Sequence, residues 1–254
     1  MLRSRIIPCL LVHKKGLVKT VQFKDPKYVG DPINAVKIFN EKEVDELIVL
    51  DIDATAENRG PDFELIKNLA IECRMPLCYG GGVTNADQAK EIIKLGAEKV
   101  ALSSTAIKNF DMLKTIGEAV GVQSLVVVLD VKKKLLGGYE IYLKNGKENT
   151  GIKLKDFIQK LNQIGVGEIV INSIDQDGKM NGYDMTLIDM VRNLTDLPLT
   201  VLGGAGSLDD IKTVISKYKP IGVAAGSLFV FKGKYRAVLI NYPNRQEKNG
   251  LYQI

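Results

Sequence analysis

The chain has 254 residues, 45% of them hydrophobic, which suits one packed barrel-sized core and does not force a second domain. A net charge of +5 comes from 35 basic residues interleaved with 30 acidic ones. No basic stripe with spaced aromatics marks a nucleic-acid binder, though mild positive charge suits an anionic small molecule. Cys9, Cys73 and Cys78 lack zinc spacing, and an odd number argues against a full disulfide framework. Neither a metal nor a cofactor is expected, and Cys9 and Cys78 read as buried thiols in apolar runs.

From the start of the chain, Met1-Leu2-Arg3-Ser4-Arg5 leads into an apolar run too short for a signal peptide or a membrane span. A cytoplasmic protein with no membrane association is the expectation. Apolar runs then recur with amphipathic segments between them, as βα units with a parallel sheet do. They predict strands near Arg5–Val12, Glu46–Asp51, Pro76–Tyr79, Lys99–Ser103, Gln123–Val131, Glu168–Asn172, Pro198–Leu202 and Gly222–Ala225. Asp31-Pro32 and Pro61-Asp62 open the first two helices, with proline in the first turn. Thr84 and Ser207 are N-cap candidates. Eight strands in this alternation predict a (β/α)8 barrel spanning 1–254 as one domain.

Three segments stand outside that plan. Residues His13–Gly30 form a long lysine-rich loop, too long for a bare connection, and are expected to act as a lid. Lys132–Lys147 alternates Tyr139, Ile141 and Leu143 with polar residues around Gly137-Gly138, a β-hairpin pattern on the same face. Residues 232–254 are atypical: Tyr235–Pro243 is short for an eighth helix and stops at a proline.

The second half of the chain repeats the first. Leu50-Asp51-Ile52-Asp53, Gly80-Gly81-Gly82 and Ala101-Leu102-Ser103-Ser104 are followed by Ser173–Gly178, Gly203-Gly204-Ala205-Gly206 and Ala224-Ala225-Gly226-Ser227. The offsets, 177 − 53 = 124, 204 − 81 = 123 and 227 − 104 = 123, describe two half-barrel repeats. One glycine triplet alone reads as a tight turn. Two of them, each followed by a small-residue turn one unit later, read as paired phosphate cradles for a ligand with a phosphate at each end. Gly81, Gly82, Ser103 and Ser104 would form one; Gly203, Gly204, Gly226 and Ser227 the other.

Carboxylates Asp51, Asp53, Asp130, Asp175 and Asp177 fall where strands meet their C-terminal loops, the face that carries chemistry in barrels. Asp53 reads as a turn cap, and Asp177 reads as a cap or, with Gly178, a ligand contact. Asp130 closes the run Leu125–Leu129 and should project into the mouth as a general acid or base. Its symmetry position in the first half holds Leu11. Lys19 is either a clamp on the ligand or a solvated lysine, and His13, the single histidine, reads as a loop residue. At the opposite mouth, Arg5, Glu46, Lys99 and Glu168 start four strands with alternating charge. That set is either a surface ion-pair group, worth little in stability, or a gate to a passage along the barrel axis.

These residues together resemble the HisF family, the cyclase subunit of imidazole glycerol phosphate synthase, from Arg5 to about Phe231. The resemblance rests on Arg5–Leu10, Gly30-Asp31-Pro32, Asp45-Glu46-Leu47, Tyr79–Val83, Asn149–Ile152, Ser173–Gly178 and Gly203–Gly206. It implies a HisH-type glutaminase on the N-terminal face, whose ammonia passes the charged ring to a bisphosphorylated ribulosyl substrate. The implied products are imidazole glycerol phosphate and an aminoimidazole carboxamide ribonucleotide. By the same resemblance Arg5, Glu46, Lys99 and Glu168 match the gate, Lys19 the lid lysine, Asp51 and the cradles the substrate site, and Asp130 one of two catalytic aspartates.

The second aspartate falls on Leu11, Ser103 stands where the family usually has asparagine, and Leu202 where serine is common. An isobutyl group cannot move a proton, and losing such a group typically costs ~10²–10⁴-fold in rate. A diverged paralogue is therefore implied, either a retuned synthase subunit or an ammonia conduit for amidation of a surface-glycan sugar. The sister isomerase of histidine synthesis shares the repeat but needs two strand-end aspartates and no gate, and fits worst.

Overall fold

The computed structural model describes residues 3–253; Met1 and Leu2, where the leader argument began, and Ile254 at the end of the atypical segment lie outside it. Eight parallel strands close into a barrel: Arg5–His13, Leu47–Asp51, Leu77–Gly80, Lys99–Leu102, Leu125–Lys133, Glu168–Ser173, Leu199–Leu202 and Gly222–Ala225. Each pairs with its neighbour in that order, the fifth with the sixth and the eighth with the first. All eight predicted strands are present with ends shifted by a residue or two. Glu46 sits just before its strand rather than in it, and Gln123 belongs to a 3₁₀ turn, Val122–Ser124.

Two apolar clusters result. The larger fills the space between the sheet and the outer helices. The smaller lies inside the barrel, with Ile7, Cys9, Ile48, Cys78, Ala101, Val126, Val128, Val170, Leu202 and Ala224 lining the axis, and Leu11 and Leu50 against them. Alternation along each strand makes this division, since successive side chains face opposite sides of a sheet. Burial pushes the Cys9 thiol up to about 11 and raises that of Cys78 well above the usual thiol value, so both remain neutral thiols within the lumen.

Helix starts follow local capping chemistry. Asp31 accepts the Asn34 N–H at 2.9 Å with Pro32 in the first turn. Asp62 caps Phe63–Glu72, which leaves Pro61 ahead of the cap and outside the helix. Ser207 caps Leu208–Tyr218 in a capping box with Asp210, as expected. Its symmetry mate does not: Asn85, one residue past Thr84, caps Ala86–Lys94, while Thr84 donates to the Gln88 side chain.

The His13–Gly30 segment is not a loop. The first strand runs on to His13 and turns back as Gly16–Val21, which pairs in turn with Lys24–Gly30. The Lys132–Lys147 insert forms the expected hairpin with Tyr139–Leu143 and gains a third strand, Glu148–Lys153. Asn145 at its far turn donates to the Ile52 carbonyl at 2.9 Å, so this hairpin reaches across the C-terminal mouth.

After the short helix Ser227–Val230, a two-stranded ribbon joins Phe231–Lys232 to Ala237–Val238, and a helix follows at Arg245–Tyr252. This end packs on the N-terminal rim. The buried Tyr242 hydroxyl donates to the Ile6 carbonyl at 2.8 Å and accepts the Asp45 N–H at 3.2 Å. Tyr252 and Lys248 reach the Asp45 carboxylate at 2.9 and 3.1 Å. No helix among the described residues is long and apolar enough to cross a membrane.

Candidate active site

A cavity of about 360 Å³ opens at the C-terminal ends of the strands, within the usual range for small-molecule sites. Lys19, Asp51, Gly81, Gly82, Ser103, Ser104, Asp130, Asp177, Gly178, Gly203, Gly204, Gly226 and Ser227 all line it, so the residues read from sequence as substrate contacts meet in one place. The two glycine turns belong to the two halves of the barrel. Gly81 takes φ +130° and Gly204 φ +112°, and a Cβ on Gly81 would stand 2.6 Å from the Asp51 carbonyl oxygen. Side chains are thus excluded at both turns by neighbouring backbone, since a Cβ on Gly204 would stand 2.1 Å from the Gly182 carbonyl oxygen. Ser103 and Ser104 precede or begin the short helix Ser104–Lys108, and Gly226 and Ser227 do the same for Ser227–Val230.

Lys19 is no solvated lysine. It sits on the first hairpin, 6% exposed, with Nζ donating to the Cys9 carbonyl at 2.5 Å. A Cβ on Gly226 would fall 2.6 Å from that Nζ, so glycine makes room for the cation beside the second turn. Burial lowers the Lys19 pKa, although the Asp177 carboxylate opposes the shift. Lys144 and Lys147, from the second hairpin, line the same cavity.

Asp130 is where the strand pattern put it. Burial pushes its carboxyl up to about 7; the Asn172 amide, donating at 2.9 Å, opposes that shift and the Asp177 charge adds to it. Such a group is half-protonated near neutrality, the condition for giving and taking protons. Asn172 had escaped the sequence reading because an amide inside Glu168–Ser173 looks like any strand residue. Its register partner is Asp130, whereas the corresponding pair in the first half is Leu11 and Leu50. One side of the mouth is polar and the other is hydrocarbon.

The other strand-end carboxylates have structural partners. Asp51 takes a two-pronged bond from Arg59 at 2.8 and 3.0 Å and also accepts the Asp53 and Ala54 N–H groups. Asp177 accepts from Thr20 Oγ1 at 2.7 Å and from the Phe23 N–H at 3.1 Å, which ties down the first hairpin. Asp53 does not cap its own turn, which Asp51 does; it accepts the Lys14 N–H of the first hairpin at 2.8 Å and meets His13 at 2.7 Å. His13 itself is a strand residue lining the cavity, not a loop residue.

At the opposite end, Arg5, Glu46, Lys99 and Glu168 form a closed ring. Arg5 bonds Glu46 and, at 2.7 Å, Glu168; Lys99 bonds the same two acids at 2.7 and 2.8 Å. Thr200 also donates to Glu168 from inside. Burial disfavours the charges on Glu168, Arg5 and Lys99, yet the partners outweigh it: the Glu168 pKa falls, and those of Arg5 and Lys99 rise. Both acids are buried and the cations are more exposed, which is not the pattern of a surface ion-pair group. The apolar lumen lies between this ring and the cavity.

The site is thus a cavity between two glycine turns on a (β/α)8 barrel, with a charged ring at the opposite end. The sequence matches the histidine biosynthesis protein family over residues 5–236. A Vibrio vulnificus protein named "Putative imidazole glycerol phosphate synthase subunit hisF3" is 55% identical over 98% of this chain and 96% of its own length. A Leptospira borgpetersenii protein, "Putative imidazole glycerol phosphate synthase subunit HisF", is 53% identical over 99% of this chain and all of its own. The imidazole glycerol phosphate synthase subunit HisF of Dictyoglomus thermophilum is 39% identical over 91% of both chains. The chain belongs to the HisF family, as a diverged paralogue.

Proposed function

We propose that the chain is an ammonia-using synthase subunit of HisF type. A HisH-type glutaminase docks on the N-terminal face, and neutral ammonia passes the Arg5–Glu46–Lys99–Glu168 ring and the apolar lumen. In the cavity it adds to the carbonyl of a bisphosphorylated ribulosyl substrate, whose two phosphates rest on the Gly81–Ser104 and Gly204–Ser227 cradles with Lys19 between them and the mouth. Asp130 moves protons there, and imidazole glycerol phosphate and aminoimidazole carboxamide ribonucleotide leave. One observation carries this reading: a closed charged ring, an apolar lumen and a cavity with two glycine turns lie on one axis. Hydrocarbon walls admit ammonia but oppose ammonium, since an unpaired charge is costly away from water. The chain acts in the cytoplasm, without nucleic acid or membrane.

The hydrocarbon pair Leu11 and Leu50 favours a second reading, a conduit that hands ammonia to a separate amidotransferase acting on a surface-glycan sugar, with no cyclisation of its own. Turnover of the ribulosyl substrate with ammonium salt and no partner distinguishes them. Measurable imidazole glycerol phosphate supports the synthase; none, together with tight binding of another phosphorylated sugar, supports the conduit.

A further inference from the structure

Along the first strand every second side chain faces the axis, from Arg5 in the ring through Ile7, Cys9 and Leu11 to His13 at the cavity mouth. Leu11, where a carboxylate is missing, and His13 therefore share one face, two positions apart. His13 is the chain's one imidazole. Its Nδ1 lies 2.7 Å from Asp53 Oδ1, while Asp53 Oδ2 is held by the Lys14 N–H at 2.8 Å. Burial works against the charge on Asp53, but the Lys14 N–H, His13 and Arg59 together hold its carboxyl below the usual range. An ionised carboxylate only accepts, so the hydrogen of this bond sits on Nδ1 and the lone pair of the neutral ring on Nε2. No hydrogen bond among the described residues reaches Nε2. A carboxylate that fixes the ring's tautomer and stabilises its cation is the arrangement that makes an imidazole a directed base.

We propose that His13, oriented by Asp53, transfers protons in this cavity on the side where Leu11 cannot. The inference rests on the reading that ammonia meets a phosphorylated carbonyl compound here. As nitrogen bonds to the carbonyl carbon, the C=O π pair moves to oxygen. Nε2 takes a proton from the new ammonium centre, and the protonated form of Asp130 gives one to the oxygen. The imidazolium, balanced by Asp53, then returns its proton to the hydroxyl, which leaves as water while the C=N bond forms. The iminium nitrogen gives a proton back to Asp130, and both side chains end as they began. Asp130 and His13 thus divide the work that two carboxylates would share.

A single histidine allows a direct test by ¹⁵N NMR of the chain labelled at histidine and glycine. The expected tautomer of the neutral form is Nδ1–H, with signals that move when fructose 1,6-bisphosphate is added as a doubly phosphorylated sugar probe. His13→Asn keeps a donor for Asp53 but has nothing in place of Nε2. It should lower ammonium-dependent kcat by about 10²-fold with KM nearly unchanged. A role confined to bracing the turn predicts wild-type turnover from this variant, and that result overturns the proposal. A ring protonated at Nε2 overturns it too, as do unmoved His13 signals when the Gly81 and Gly204 amides respond to the probe. If those amides also stay still, the phosphate cradles fail first and His13 loses its role with them. If wild type shows no turnover, the synthase reading falls alone, and the tautomer and probe shifts still judge His13.

Discussion

Asn172 donates its side-chain amide to Asp130 at 2.9 Å from the register-matched position on the next strand, while its own Oδ1 is buried with no partner among the described residues. The bond favours the ionised form of Asp130 and so restrains the upward shift that burial causes. Removing it with Asn172→Leu should raise the Asp130 pKa above about 7. Carboxyl ¹³C shifts followed through a pH titration would read this, and a downward move would contradict the assignment.

Asp130 also makes stability depend on pH. Its folded pKa, about 7, lies above the ordinary carboxylate value of about 4, so the folded chain holds this proton more tightly than the unfolded one. Its contribution is therefore fully favourable below about pH 4 and declines until about pH 7, by an amount on the order of 4 kcal/mol at most. Asp130→Asn should flatten that part of the curve. Urea melts at pH 5 and pH 8 are the measurement, and equal slopes in both proteins would rule the effect out.

Glu168 works in the opposite sense. Despite burial, Arg5 and Lys99 depress its pKa, so its contribution is present above the unfolded carboxylate value and vanishes as acid protonates the ring. Glu168→Gln leaves two cations sharing Glu46 and should cost roughly 3–5 kcal/mol, as broken buried pairs do. If the ring gates ammonia, glutamine-driven transfer in the complex should change while ammonium-driven turnover stays near wild type. Parallel loss of both activities would make the ring purely structural.

Leu11→Asp restores a carboxylate opposite Asp130. Expected is a gain in ammonium-dependent cyclisation, at a stability cost of about 1–3 kcal/mol for polar burial against Leu50. A stable variant with no gain would move the balance toward the conduit.

Tyr242→Phe removes a hydroxyl that serves both Ile6 and Asp45, neighbours of the ring residues Arg5 and Glu46. A loss of about 1–3 kcal/mol in a denaturant melt is expected for a buried group left unpaired. Unchanged stability would mean that the terminal helix is not braced through this residue.

The barrel was legible in the sequence because apolar runs of strand length alternate with amphipathic stretches, and because the glycine turns recur at a fixed offset. The first hairpin was not. Lys24–Gly30 reads Lys-Asp-Pro-Lys-Tyr-Val-Gly, mostly exposed and without alternation, so nothing local marks it as a strand. His13 reads as a loop residue for the same reason, since the lysines after it hide the end of the strand. Asn172 carried no local signal; comparing its position with Leu50 across the repeat would have found it. The terminal helix did carry one: Asn244 and Glu247 form a capping box with the spacing that marks a helix start.

The alternating face of the first strand has a consequence for how such a chain can change. Because Arg5, Leu11 and His13 share it, inserting or deleting one residue between the first and last would turn whatever follows from lumen to helix side. Entrance and reaction chamber would fall out of step at once. New chemistry at this mouth must come by exchanging one side chain for another, and a leucine beside a lone imidazole is what such an exchange leaves behind.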